Sequence, residues 1–205
     1  MAELKEKILN KAQELMWARG ISKVTMYMIA RECGISKRTL YEQIPDKRAL
    51  VWESMLYRWD KNVQGLEYII QNSPDTLSAL LDIYLQMREI YKRSPKVYTD
   101  DLRRLFPEFE ATYRDMYKKR NEEFVSFLEK GVEEGVIRGD VDLYVFATLF
   151  MLESHSIRDN MDYFPENLSI VKVCDMAFVG FVRGIATFEG LKILDEFLAN
   201  KKLEK

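Results

Sequence analysis

Apolar side chains recur along this chain at intervals of three and four, the spacing of one face of an α-helix. Leu4, Ile8, Ala12 and Leu15 make the first stripe; Met16 and Trp17 broaden it, and Gly20 suits the turn past its C-terminus. Thr25 is positioned to cap a short second helix whose apolar positions are Ile29 and Ala30. Gly34 marks a turn, Ser36 an N-cap, and Ile35 and Leu40 close onto the same small core. From Asp46 to about Ile70 a longer helix carries Trp52, Met55, Leu56, Tyr57 and Trp59. A turn at 72–76, with Asp75 or Thr76 as cap, leads into a helix through Leu80, Ile83, Tyr84, Met87 and Tyr91. Ser94 and Pro95 open a short helix as N-cap and first residue. Pro107 opens one of roughly seven turns, with Phe109, Tyr113, Met116, Tyr117, Phe124, Phe127 and Leu128 as its stripe and Gly135 and Gly139 beyond it. The span 141–162 is apolar on nearly every side, which predicts a helix with partners on two faces, and Pro165 stops it. A helix at about 167–189 and a tail helix with Leu191, Leu194, Phe197 and Leu198 complete the chain. No stretch alternates as a strand does, so the pattern predicts an all-α fold.

Residues 25–47 read as two short helices joined by a tight turn, the arrangement of a helix-turn-helix. Ala30 is small where the helix axes come closest, and Gly34 supplies the positive φ that lets the chain leave one helix for the next. After Ser36 the exposed positions are Lys37, Arg38, Thr39 and Tyr41, with Gln43 at the edge. Two cations and two hydroxyls at the start of a helix can serve a DNA major groove lying between two phosphate backbones. Thr25 is expected to face a phosphate as well. Lys47 follows the capping Asp46 in the first turn of the next helix, where a cation opposes the helix dipole. A phosphate partner would explain it.

The conjunction of Ile29-Ala30, Gly34-Ile35-Ser36-Lys37, Thr39-Leu40-Tyr41 and the downstream Lys47 and Leu50 resembles the N-terminal DNA-binding domain of the TetR family of bacterial transcriptional regulators. The likeness reaches back to Gly20 and covers about the first 60 residues. Family members commonly carry Phe where this chain has Ile44, and a small or polar residue where it has Pro45. Both departures bear on the angle of the helix that follows. The resemblance implies a DNA-binding domain at 1–48, a linking helix at about 46–70 and a helical regulatory domain at 71–205. It also implies that Lys47 contacts the DNA backbone, and that a palindromic operator is bound by a homodimer joined through its last two long helices, here 141–162 and 167–189. A small-molecule effector would then change the separation of the two heads. Phe146, Phe150, Ala177, Gly180, Phe181 and Gly184 are the expected dimer residues, the small ones permitting close helix approach. Tyr84, Tyr91, Phe106, Tyr113, Tyr117, Phe124, Phe150 and His155 are candidates for lining an effector cavity, although core packing is the better account of any aromatic taken singly.

Charge refines this picture. The net charge of −2 argues against nucleic acid when averaged over the chain. Residues 1–61, however, hold 12 Lys and Arg against 8 Asp and Glu, and the remainder holds 19 against 25. A basic head on an acidic body fits a DNA-binding domain joined to a domain with another task. Two distant cysteines, Cys33 and Cys174, suggest reduced thiols in a cytoplasmic protein, with Cys33 serving packing. The acidic, apolar-poor N-terminus predicts no signal peptide, and the apolar run at 141–152 is too short to span a bilayer.

No phosphate-binding loop, dinucleotide fingerprint or nucleophile elbow occurs. A carboxylate-bridged metal bundle needs Glu-x-x-His on two helices, and the chain has one histidine, His155, with Glu153 at the wrong offset. No enzyme activity, metal or cofactor is therefore expected. Arg138-Gly139-Asp140 spells an adhesion tripeptide, but a helix end followed by an Asp N-cap explains it better. Two rival readings stay open: a helical enzyme that happens to carry a helix-turn-helix, and an adaptor whose basic head binds acidic protein.

Overall fold

The structure is a computed structural model that describes residues 2–93 and 96–200. Among the described residues it contains α-helices, one short 3-10 turn and a single isolated β-bridge. The chain divides into two compact units, Met1–Leu66 with Ser94–Tyr113, and Glu67–Arg93 with Arg114–Lys205. Two long helices, α4 and α7, contribute residues to both.

The first unit begins with α1 (Ala2–Arg19), whose Ile8, Ala12 and Met16 are fully buried while Leu4 and Leu15 pack at the margin. Gly20 follows with φ 85°, and its N–H closes the helix on the Met16 carbonyl. Helix α2 (Met26–Cys33) starts at Thr25, whose hydroxyl accepts the Met28 N–H. It ends at Gly34, whose φ of 69° lies in the left-handed region that a side-chain-bearing residue enters at a cost of about 1–2 kcal/mol. Helix α3 (Lys37–Gln43) starts at Ser36, which accepts the Thr39 N–H at 3.0 Å. Each such cap contributes about 1 kcal/mol. Ile44 is extended before Pro45, as the proline ring requires. Asp46 then caps α4 (Lys47–Asn72) by accepting the Ala49 N–H at 2.8 Å. Ile29, Ala30, Leu40, Ile44, Leu50 and Val51 fill the core between these helices.

Helix α6 (Lys96–Leu105) belongs to this first unit, though the sequence reading assigns its span to the regulatory part. Its Tyr98 hydroxyl lies 3.4 Å from the Gln13 amide and its ring 5.1 Å from that of Trp17. Asp101 accepts the Ser22 N–H at 2.7 Å. A Cβ at Gly20 would lie 2.9 Å from both Asp101 and Val97, so a glycine is needed here for close approach as well as for its φ. The expected Ser94-Pro95 start of this helix lies outside the described residues.

The second unit gathers α5 (Thr76–Arg93), the later turns of α7 (Glu108–Glu133), α8 (Leu143–Asp159), α9 (Ile170–Ile185) and α10 (Phe188–Asn200). Leu77, Leu80, Leu81, Leu128, Phe146, Phe178, Val182, Ile185 and Leu194 form its core. Of the two caps expected for α5, Asp75 takes the role by accepting the Ser78 N–H at 2.8 Å. Helix α8 is shorter than the apolar run suggests. Asp142 is its N-cap, and beyond Asn160 the chain makes the 3-10 turn Met161–Tyr163. The expected cap at Asp140 is therefore corrected, because the Arg138 guanidinium holds that carboxylate at 2.7 Å. Among the described residues no strand forms, in line with the all-α pattern, and a single isolated bridge joins two short extended stretches. Ile137 bridges Ala186, with the Arg138 N–H on the Ile185 carbonyl and the Thr187 N–H on that of Val136. No helix among the described residues is long and apolar enough to cross a membrane.

Candidate nucleic-acid interface

The α2–α3 pair sorts its side chains by depth. Ile29, Ala30 and Leu40 are buried and Ile35 is partly so, while Thr25, Ser36, Lys37, Arg38 and Tyr41 are exposed. Thr39 and Gln43 are half-buried. The Thr39 hydroxyl lies 2.9 Å from that of Ser36, so the two hydroxyls at the head of α3 share one proton link and keep acceptor capacity for a further partner.

The cations differ in how firmly they are held. Arg38 has a side chain 90% exposed and reaches forward one turn to Glu42 at 3.0 Å, an exposed pair of small energetic weight. The Lys37 ammonium sits 5.1 Å from the centre of the Tyr27 ring. Tyr27 is 56% exposed on α2 and extends the surface beyond the residues named from sequence. An exposed aromatic on a short helix was readable, but the ring's tie to Lys37 runs across the turn. Lys47 is half-buried, and burial pushes its ammonium below the usual lysine range while the Asp101 carboxylate partly restores it. An anion arriving at Lys47 would relieve that burial penalty.

The candidate effector and interface residues separate between the units. Phe106 stands in the first unit, stacked at 5.1 Å on Phe109. Phe109 floors an open cleft of about 420 Å³ that Arg48, Trp52 and Glu108 also line, with Arg48 and Glu108 paired at 2.7 Å. In the second unit, Phe124 and Phe150 lie 5.4 Å apart, and Phe150 meets Phe178 and Phe181 edge-on. Tyr84 stacks on Phe178 at 3.7 Å and donates its hydroxyl to Asp175. Burial, reinforced by that carboxylate, raises the Tyr84 hydroxyl far above the ordinary tyrosine range and keeps it a donor. Arg88 grips the same carboxylate with two bonds, at 2.8 and 2.9 Å. This buried trio was not anticipated, although Tyr84 and Arg88 are four residues apart and share a helix face. The side chains of Tyr91, Tyr113, Tyr117 and His155 lie outside the described residues.

Of the expected dimer residues, Phe146 is buried and packs edge-on against Phe181 at 5.6 Å. Phe150, Ala177 and Phe181 are half-buried, whereas Gly180 and Gly184 face open space. The two helices also leave large apolar side chains uncovered: Tyr144, Val145, Leu149 and Leu152 of α8, and Met176 of α9, 68% exposed.

Residues 8–53 match the family described as bacterial regulatory proteins, tetR family. The chain is 25% identical over 140 residues to the HTH-type transcriptional repressor KstR2 of Mycobacterium tuberculosis H37Rv, covering 66% of this chain and 70% of that protein. A solved structure of the ketosteroid transcriptional regulator KstR2 of the same organism aligns with a TM-score of 0.58 and 21% identity, covering 89% of this chain and 95% of that one. A transcriptional regulator from Saccharomonospora viridis, solved in complex with choline, aligns with a TM-score of 0.69 and 19% identity over 91% of this chain and all of that one. These structural likenesses carry the fold.

Proposed function

The chain belongs to the TetR family of bacterial transcriptional regulators, and from that premise we propose that it is a repressor binding a palindromic operator as a homodimer and released by a small-molecule effector. The observation that carries the reading is the sorted surface of α2 and α3, where Ser36, Lys37, Arg38 and Tyr41 stand in solvent over a core of Ile29, Ala30 and Leu40. In this reading Lys37, Arg38, Tyr41 and Gln43 face base edges. Thr25, Ser36, Thr39 and Lys47 hold phosphates and fix the register. The segment 1–48 is the DNA-binding domain, the linking helix runs on from it, and the helices of the second unit regulate.

Repression is favoured by the similarity to proteins named as repressors. Dimerisation is favoured by the uncovered apolar faces of α8 and α9, a patch that a monomer rarely leaves to solvent. Two copies joined there would hold two copies of α3 at a separation matched to about one DNA turn, roughly 34–36 Å. The effector enters among the aromatics of the second unit, where Tyr84, Phe124 and Phe150 cluster with Phe178. By binding one arrangement better than the other it shifts the pair of heads off the operator.

Selecting duplexes from a random pool on the full-length protein tests this. The expected outcome is an inverted repeat, protected over two half-sites by a protein that sediments as a dimer. Selection of unrelated duplexes, or of a single unrepeated half-site by a monomer, would overturn the reading.

A further inference from the structure

Asn121, buried on α7, has an amide that the fold itself uses only at one end. It stands one turn before Phe124 and Val125 and two turns before the fully buried Leu128, on the inward stripe of the helix. Its amide nitrogen donates to the Thr148 hydroxyl of α8 at 3.0 Å. That hydroxyl donates its own proton to the Tyr144 carbonyl at 2.8 Å, so it can only accept from Asn121. In this arrangement the amide presents its nitrogen to Thr148. Asn121 Oδ1 is what remains, closed off from solvent and without a hydrogen-bond partner.

A buried acceptor left in this state destabilises a fold, and replacing it with an apolar group of similar shape usually does not. A trapped water would need about two to four polar partners to stay. The neighbouring interior offers rings instead, with Phe124 and Phe150 5.4 Å apart and Phe146 6.0 Å from Phe150. Elsewhere in the same unit the buried polar groups Tyr84, Arg88 and Asp175 engage one another. Positions that break a local rule without a local gain mark function.

We propose that Asn121 Oδ1 is the polar anchor of the effector site, and that the effector is a ring-bearing apolar molecule carrying one hydrogen-bond donor, such as a hydroxyl. This rests on the reading that the second unit takes an effector. The molecule's rings lie against Phe124 and Phe150 and its O–H points at Oδ1, while Thr148 holds the amide in register. An analogue of equal shape without the proton leaves Oδ1 unpaired and is rejected.

The probes are 2-naphthol and 2-methoxynaphthalene, which share a ring system and differ in whether the oxygen carries a proton. Each is titrated calorimetrically into the full-length protein and into Asn121→Leu. The expected result is at least tenfold tighter binding of 2-naphthol by the wild type and a preference under twofold in the variant. With no probe present, Asn121→Leu should unfold at a higher temperature than the wild type and keep its operator affinity, so that failure here is separable from failure of the regulator reading. Equal or absent binding of both probes to the wild type, a preference retained by Asn121→Leu, or a lower unfolding temperature of that variant would overturn the proposal.

Discussion

On the exposed face of α2 and α3, Ser36, Lys37, Arg38 and Tyr41 stand in solvent over an apolar floor, whereas in the second unit Tyr84, Arg88 and Asp175 lie within an apolar core. The head keeps its polar groups cheap. Its caps close on N–H groups three residues away, and its cations retain water until a partner arrives. The second unit instead takes a charged pair out of water and must satisfy it over long sequence distances, Arg88 to Asp175 being 87 residues apart. A group left in solvent can be exchanged for another with little effect on folding. A buried ion cannot lose its partner so lightly. The head can therefore vary what it reads, and the body is committed to one internal arrangement around which a ligand site can be built.

The contrast is broken most severely at Asp175. Asp175→Ala removes the carboxylate that takes two bonds from the buried Arg88 guanidinium and the acceptor of the Tyr84 hydroxyl, with an expected loss of about 3–5 kcal/mol in denaturant unfolding. The double change Arg88→Met with Asp175→Leu should cost less than that single one, since both charges leave together. A single change below about 1 kcal/mol would put the pair among ordinary surface contacts.

A smaller effect sharpens the comparison from within the first unit, which has one buried carboxylate of its own. Burial works against the charge on Asp101, but the Ser22 N–H and the Arg104 guanidinium outweigh it and hold the carboxyl at about 2. A carboxyl lowered from 3.8 to about 2 stabilises the folded state by about 2 kcal/mol above pH 4, and that contribution disappears as the pH falls through about 2. Asp101→Asn should lose stability at neutral pH and show a shallower decline between about pH 4 and pH 2. A variant whose acid-unfolding curve overlays that of the wild type would show the bond to Ser22 to be energetically idle.

The legibility of the chain follows the same division. The helix-turn-helix could be read because everything that builds it is local: Thr25 with Met28, Gly34 at its φ of 69°, Ser36 with Thr39, Leu40 beneath. The inclusion of α6 in the first unit could not, because its bond from Asp101 reaches Ser22 across 79 residues. Asp140 and Asp142 both have the chemistry of an N-cap; the helix starts at Leu143, so the second takes the role, while the first pairs with Arg138. In the sequence Asn121 is only a polar break in an aromatic stripe, since it takes the contact of α7 with α8 to reveal that its oxygen has no donor. Phe106 shares only its residue type with the other candidate aromatics, and the fold seats it on Phe109 in the first unit.

The regulator reading is tested most directly by binding of the full-length protein to its selected operator and to random duplex across a series of salt concentrations. Log affinity should fall linearly with log salt, with a slope of about −0.9 for each phosphate neutralised. Lys47→Ala should reduce that slope by about one and weaken both duplexes alike, while Arg38→Ala should cost on the order of 1–3 kcal/mol on the operator and little on random duplex. Salt-independent binding, or losses that are the same on both duplexes for both variants, would contradict it.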